Sequence, residues 1–338
     1  NISKVEIKNN LIINKEKIMK NTKLIISIVV VAVIVVGAFL IFYQKPSETK
    51  VVKIGYLPIM ASLPLYVAQE NEYFSEQGVQ IETVQMQSSN QLVDALVRGD
   101  IDVVVESSAV PALIAETIDS GKIKIFSTSD ITPETPFDSL IIKKDSSFAS
   151  LKDLEGKKIG VFPGSTATNL LKKYLLDNGV DTTKMEFIQV IPANQLPALY
   201  AGSIDALHAY EPTTAIALQS GNAKKLYSSI YAEQLNHNPQ GIALISTKFI
   251  SENSRLAKRT VAAFNQASDF ISKNDAKTRE IVVKYVKVDK SVADNVVFLY
   301  MSRSDKINKG ALQAYADMLN TIGEMENKIN VSNLLYNP

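Results

Sequence analysis

The chain is 338 residues long, 46% hydrophobic and 21% charged with a net charge of +1, values that suit a globular protein with room for two domains. No stretch interleaves many Lys or Arg residues with aromatics, so a nucleic-acid partner has no support. Cysteine is absent, which excludes disulfides, thiolate metal sites, a cysteine nucleophile and the lipid-bearing Cys of a bacterial lipoprotein.

The first predicted element is Leu24 to Tyr43, 20 residues without a charge. As a helix it would span about 30 Å, the thickness of a bilayer core. A cleaved signal peptide would carry an apolar region of about 7 to 15 residues and then small residues. Here Phe39-Leu40-Ile41-Phe42-Tyr43-Gln44 follows, so residues 24–43 are expected to be an uncleaved transmembrane signal anchor. Lys20 and Lys23 then hold a tail, residues 1–23, in the cytoplasm. Met19 before Lys20-Asn21-Thr22-Lys23 reads as a start, leaving residues 1–18 as an upstream extension to which no function is assigned. Everything after Lys45 is expected outside the cytoplasm on a single-pass cell-membrane anchor, with residues 46–50 as a tether.

Beyond the tether, Val51 to Leu57 reads as a strand, Leu65 to Phe74 as a helix and Val79 to Met86 as a strand. Gln91 to Arg98, Ile101 to Val105 and Val110 to Ile118 follow as helix, strand and helix, with Gly78, Gly99 and Gly121 at the transitions. Strands alternating with helices imply an α/β fold with a largely parallel sheet. A second series begins after the helical turn ended by Gly156 and runs strand, helix, strand, helix, strand to about Tyr231. From Asn253 the pattern is nearly all helical, through Leu256 to Ile271, Ala276 to Val286, Val292 to Met301 and Ala311 to Ile322. Such a tail has to bury its apolar stripes, and the first lobe is the simplest place. The first lobe is therefore expected to comprise residues 51–140 and 241–338, and the second residues 145–236. Ser139 to Lys144 and Gly241 to Ser246 are expected to be the two crossovers of a hinge.

The two series are copies. Lys53-Ile54-Gly55-Tyr56-Leu57-Pro58 returns 105 positions later as Lys158-Ile159-Gly160-Val161-Phe162-Pro163. Ala95-Leu96, Gly99, Ile101 and Asp102 return 103 positions later as Ala198-Leu199, Gly202, Ile204 and Asp205. A period this long is far beyond the about 20 to 50 residues of a solenoid repeat, so the copies read as two lobes with a cleft between them.

Gly55-Tyr56-Leu57-Pro58, Pro64 to Glu70, Tyr73-Phe74 and Gly78-Val79 resemble the start of the ABC-importer solute-binding proteins for nitrate, sulfonate and taurine. That group also includes binders of thiamine-pyrimidine precursors. The likeness continues in Leu151 to Gly160, in Gly164-Ser165-Thr166-Ala167 and in Asp205-Ala206 with Glu211-Pro212, and covers about Val51 to Ser246. It implies a two-lobed type II periplasmic-binding-protein fold, without catalysis or cofactor, that captures a small-molecule ligand and delivers it to an ABC permease with its ATPase. Two departures stand out: a helix in place of a lipid anchor, and Tyr210 where relatives often carry Trp before the acidic-Pro pair.

Gly164, Ser165, Thr166 and Ala167 follow a predicted strand and open a helix, where free amides and the helix dipole attract an anion; Ser165 or Thr166 acting only as an N-cap is the plainer alternative. Ser107 and Ser108 end the Ile101 strand at the corresponding lip of the first lobe, and Pro58, Met60 and Ala61 lie in the loop after the first strand. Glu211 can cap its helix or bind an ammonium or ring N–H; Glu106 and Asp138 stand near strand ends. Three carboxylates with no Arg beside them argue against a bare anion such as nitrate and for a zwitterion or an aminopyrimidine. Tyr210, Tyr56 and Phe162 can supply aromatic walls. His208 and His237 are the whole imidazole supply, with no H-E-x-x-H pattern and no G-x-S-x-G elbow, so neither a metal centre nor a hydrolase is expected. A membrane-tethered sensor stays open beside the importer.

Overall fold

The repeat is built into the backbone of two sheets. The structure is a computed structural model that describes Met19 and residues 50–338, so the expected tail and anchor, residues 1–23 and 24–43, and the tether up to residue 49 lie outside the described residues. Among the described residues no helix is long and apolar enough to cross a membrane.

In the first lobe β1 (Val52–Tyr56) leads to α1 (Leu63–Glu70) and α2 (Tyr73–Glu76), then β2 (Ile81–Gln85), α3 (Ser89–Arg98), β3 (Val103–Ser108), α4 (Ala109–Ile118) and β4 (Ile123–Ile131). The single helix expected over Leu65 to Phe74 is two, because Glu72 adopts a left-handed conformation with φ 58° between them. In the second lobe β5 (Asp138–Lys143) precedes β6 (Lys158–Val161), α5 (Ser165–Asp177), β7 (Glu186–Gln189), α6 (Pro192–Ala201), β8 (Ala206–Tyr210), α7 (Thr213–Gln219), β9 (Ala223–Ser228) and α8 (Ile230–Gln234). β10 (Asn238–Ser246) returns to the first sheet. The tail follows as α9 (Thr247–Glu252), α10 (Ser254–Lys273), α11 (Asp275–Val286), α12 (Lys290–Ala293), β11 (Tyr300–Met301) and α13 (Lys309–Thr321).

The sheet orders are β11-β4-β10-β3-β1-β2 and β7-β6-β8-β5-β9. In each, a parallel trio (β2-β1-β3, then β7-β6-β8) is extended by an antiparallel strand that has just arrived from the other lobe. That arrival moves the hinge. Ser139 to Lys144 and Gly241 to Ser246, expected as crossovers, belong to strands β5 and β10 inside the sheets. The chain crosses just ahead of each, at residues 132–137 and 235–237. Residues 139–142 and 241–246 are buried and each run carries two isoleucines, which suits a central strand.

The residues shared by the two copies do the same work in each. Lys53 N–H donates to Asp102 Oδ2 at 3.0 Å and Lys158 N–H to Asp205 Oδ2 at 2.9 Å. A Cβ on Gly55 would lie 2.5 Å from Ile101 Cδ1, and one on Gly160 2.5 Å from Ile204 Cδ1, so each glycine is the space its isoleucine fills. Gly99 and Gly202 end α3 and α6 with φ of 82° and 74°.

The tail differs from expectation at Val292 to Met301, of which only Val292 and Ala293 are helical, in α12, and Tyr300–Met301 pairs with β4. Arg279 holds the intervening loop: its guanidinium donates to the carbonyls of Ala293 and Val296 at 2.6 and 3.1 Å and lies over the Phe298 ring. Residues 51–338 form one compact unit. Its largest hydrophobic cluster includes Ile54, Val103 and Leu244 of the first sheet with Leu140, Ile159 and Ala206 of the second.

Candidate functional site

The carboxyl ends of β1, β3, β6 and β8 carry the residues that the sequence singles out, as the topology of open α/β sheets leads one to expect. In the first lobe the loop after β1 is folded back on itself, with Ser62 Oγ donating to the Leu57 carbonyl at 2.7 Å. Met60 and Ala61 are buried at 2% and 8% exposure, leaving Pro58 exposed and Ile59 half-buried at the surface. Ser107 is buried and donates from Oγ to the Ser108 carbonyl at 3.0 Å. Ser108 occupies the N-cap position of α4 without making a capping bond, and its buried Oγ has no partner.

In the second lobe Gly164, at φ 117°, is the residue before α5, and its N–H donates to Gln189 Oε1 at 3.1 Å. The helix begins at Ser165 with Gly164 in the N-cap position and no side-chain cap bond from it, so Ser165 is not the N-cap weighed for it. Gly164 and Ser165 are exposed, whereas Ala167 is buried at 6%. A 13-residue helix thus starts at a strand's carboxyl end with a glycine, which has no side chain to cap it, in the N-cap position, a ready place for an anion.

Glu211 does cap. Its Oε2 accepts the N–H of Ala215 in the first turn of α7 at 3.1 Å, and burial pushes its carboxyl up to about 7. Tyr210 is half-buried among rings: Phe162 at 5.8 Å, His208 at 5.2 Å and Tyr231 at 6.1 Å between centroids, with its hydroxyl 2.9 Å from that of Tyr231. Asp138, expected near a strand end, lies inside the fold. It is fully buried and its carboxylate is already taken, by Ser229 Oγ at 2.6 Å, the Ile230 N–H at 2.9 Å and His208 Nε2 at 3.0 Å. These bonds tie β5 to β8 and to the start of α8.

Glu106 is also buried, with Oε2 accepting from Ser129 Oγ at 2.8 Å, and burial, reinforced by nearby Asp130, pushes it up to about 8. Near neutral pH it carries a proton, and Asp138 has its own donors. The like-charge argument against an anionic ligand thereby loses most of its force. Gly241 makes the arrangement possible, since a Cβ there would lie 1.4 Å from Glu106 Oε1.

Sequence reasoning passed over Tyr231, Asn238 and Tyr315, which gather at the hinge. Asn238 Nδ2 donates to the Tyr231 carbonyl at 2.9 Å, and Tyr315 of α13 reaches Gln240 Oε1 at 3.5 Å. Asn169 of α5 donates to Glu324, just beyond α13, so the tail touches the second lobe as well. No local pattern marks these residues, because each meets its partners only through the crossings. Surface hollows of about 450 and 290 Å³ lie elsewhere, one beside Lys53, Arg98 and Ile101 and the other beside Lys143, Gly202 and Ile204, near the amino ends of the parallel strands. Among the described residues no three His, Asp or Glu side chains are grouped to hold a metal ion.

Two lobes, each a parallel trio plus one antiparallel strand from the other side, joined by two crossings, make an α/β fold of the periplasmic-binding-protein kind. It resembles the alkanesulfonate-binding protein SsuA from Xanthomonas axonopodis bound to MOPS, with a TM-score of 0.69 at 21% identity over 84% of this chain and 97% of that one. It also resembles the periplasmic aliphatic sulphonate binding protein SsuA from Escherichia coli, with a TM-score of 0.70 at 19% identity over 85% and 92% of the two chains. In sequence, a Bacillus subtilis protein named for binding aliphatic sulfonates is 27% identical over 301 residues, 86% of this chain and 87% of its own. The chain belongs to the NMT1-like family, whose model matches residues 45–287.

Proposed function

We propose that this protein is the extracytoplasmic solute-binding component of an ABC importer, closing two lobes on a small organic anion of the sulfonate class and handing it to a permease with its ATPase. The observation that carries the reading is the uncapped amino terminus of α5 at the end of β6. Ser108, whose buried hydroxyl lacks a partner on the first lobe, supplies a donor from the other side. Pro58, Gly164, Ser165, Thr166 and Tyr210 complete the binding surface in this reading, with Glu211 setting the first turn of α7. The relatives named for sulfonates support the ligand class. Residues 24–43 anchor the chain in the cell membrane with the lobes outside, and no chemistry is done on the solute.

The test is a thermal-shift and calorimetric screen of the full chain with ethanesulfonate, 2-aminoethanesulfonate, nitrate and 4-aminopyrimidine. A solute at 100 times its Kd stabilises by about 2.7 kcal/mol, readily seen as a rise in Tm. Sulfonates are expected to stabilise, and Ser108→Ala to weaken them about tenfold while leaving the unliganded Tm unchanged. Stabilisation by the aminopyrimidine alone would move the ligand to the pyrimidine class, and stabilisation by none of the four would sink the importer reading.

A further inference from the structure

The helical tail brings one carboxylate of the first lobe to the start of α5. α13 ends in a tight turn: Gly323, at φ 77°, donates its N–H to the Asn320 carbonyl at 3.2 Å, and the Glu324 N–H donates to the Leu319 carbonyl at 2.9 Å. The next residue, Met325, is buried at 3% exposure, and its carbonyl accepts from Asn320 Nδ2 at 2.8 Å. Glu324 is thus carried on a fixed turn, half-buried, and its carboxylate accepts from Asn169 Nδ2 of the second lobe.

Asn169 follows Ser165 by one turn of α5, about 6 Å along the axis. Helical side chains lean toward the amino terminus, so Asn169 and the carboxylate it holds stand over the first turn. Glu324 is also in electrostatic reach of Tyr315, and Tyr315 of Tyr210 and Tyr231, which puts the carboxylate on the same wall as the end of β8. Among the described residues Asn169 is the one side chain that bonds it, and no Lys, Arg or His pairs with it. The other acids near the strand ends are engaged within the fold: Glu106 with Ser129, Glu211 with the Ala215 N–H, and Asp138 with Ser229, Ile230 and His208. Glu324 is the carboxylate left to meet a cation, close to the helix end that suits an anion. A half-buried carboxylate repels a bare anion bound beside it and attracts an ammonium there.

We propose that Glu324 is a specificity-determining residue: with the sulfonate of a solute on the amino terminus of α5, it takes an ammonium on the same solute, so the preferred class is the short aminosulfonates over the alkanesulfonates. The assignment rests on the sulfonate reading of this cleft. Asn169 is the positioning residue, holding the carboxylate over the first turn.

Isothermal calorimetry on the full chain compares 2-aminoethanesulfonate with propanesulfonate, which carries a methyl in place of the ammonium. The parent is expected to bind the aminosulfonate about tenfold tighter, the scale of one charged hydrogen bond. Glu324→Gln keeps an acceptor for Asn169 and removes only the charge. It should bring the two affinities together by weakening the aminosulfonate, with propanesulfonate unchanged or tighter. Asn169→Ala removes the link between the lobes and keeps the charge, and should retain most of the preference. Equal affinities in the parent overturn the assignment, and so does a preference that survives Glu324→Gln or disappears with Asn169→Ala. In those outcomes both sulfonates still bind and the sulfonate reading stands, whereas binding of neither removes that reading and this assignment together.

Discussion

Glu106 shows how one side chain couples a strand to the pH of the medium. Its carboxyl is buried, tied by one oxygen to Ser129, and raised to about 8 from an ordinary carboxylate value of 4.5. A group raised on folding adds stability that is complete below the unfolded value and is lost as pH climbs through the folded one. Stability is therefore expected to fall between about pH 4.5 and 8, by an amount on the order of a few kcal/mol, with Glu211 contributing in the same direction. Urea unfolding at pH 5 and pH 8.5 measures the fall, and Glu106→Gln should flatten most of it. A parent protein equally stable at both values would show that Glu106 folds as an ion. Asp138 is the contrast: both of its oxygens have hydrogen-bond partners, and its burial serves the register of β5.

At the scale of elements the repeated unit is one solution to one packing problem, used twice. Gly55 and Gly160 both leave room for an isoleucine at the start of the next parallel strand, with a prospective Cβ contact of 2.5 Å in each copy. Overpacking of this kind costs about 1 to 3 kcal/mol. Gly55→Ala and Gly160→Ala are expected to destabilise by amounts within about 1 kcal/mol of each other, read as denaturant midpoints; a loss confined to one copy would break the equivalence. Much of this was legible in the sequence because it is local: the glycines, the aspartates that accept from the first strand, and the amphipathic helices. The hinge was not. A buried strand such as β10 and a crossover both read as short apolar runs, and only pairing with β3 and β4 tells them apart. Within the candidate site, the strand-to-helix turns were visible as Gly164-Ser165 and Ser107-Ser108. The fate of each polar group was not, since Asp138 and Ser108 differ only in the donors that tertiary structure brings to them.

For the whole molecule the open question is why two sheets with separate topologies behave as one body. The main hydrophobic cluster runs through both lobes, and Tyr315, fully buried on α13, stands where they meet, with its hydroxyl at Gln240 and in electrostatic reach of Tyr210 and Tyr231. Burial holds all three phenols well above their ordinary value, so they remain neutral and act as packing and hydrogen-bonding groups. The tail thus adds a third link beside the two crossings, reinforced by Asn169 and Glu324. Removing a buried aromatic costs about 3 to 5 kcal/mol, and here the loss falls on the junction, not within either lobe. Tyr315→Ala is expected to lower the melting temperature and to divide a single calorimetric transition into two, the second lobe keeping its own small cluster around Ile141, Leu199 and Leu207. Tyr315→Phe should keep one transition, because the ring fills the junction and only the 3.5 Å bond to Gln240 is lost. One undivided transition in Tyr315→Ala would place the coupling in the crossings alone and leave the tail as a cover for the first sheet.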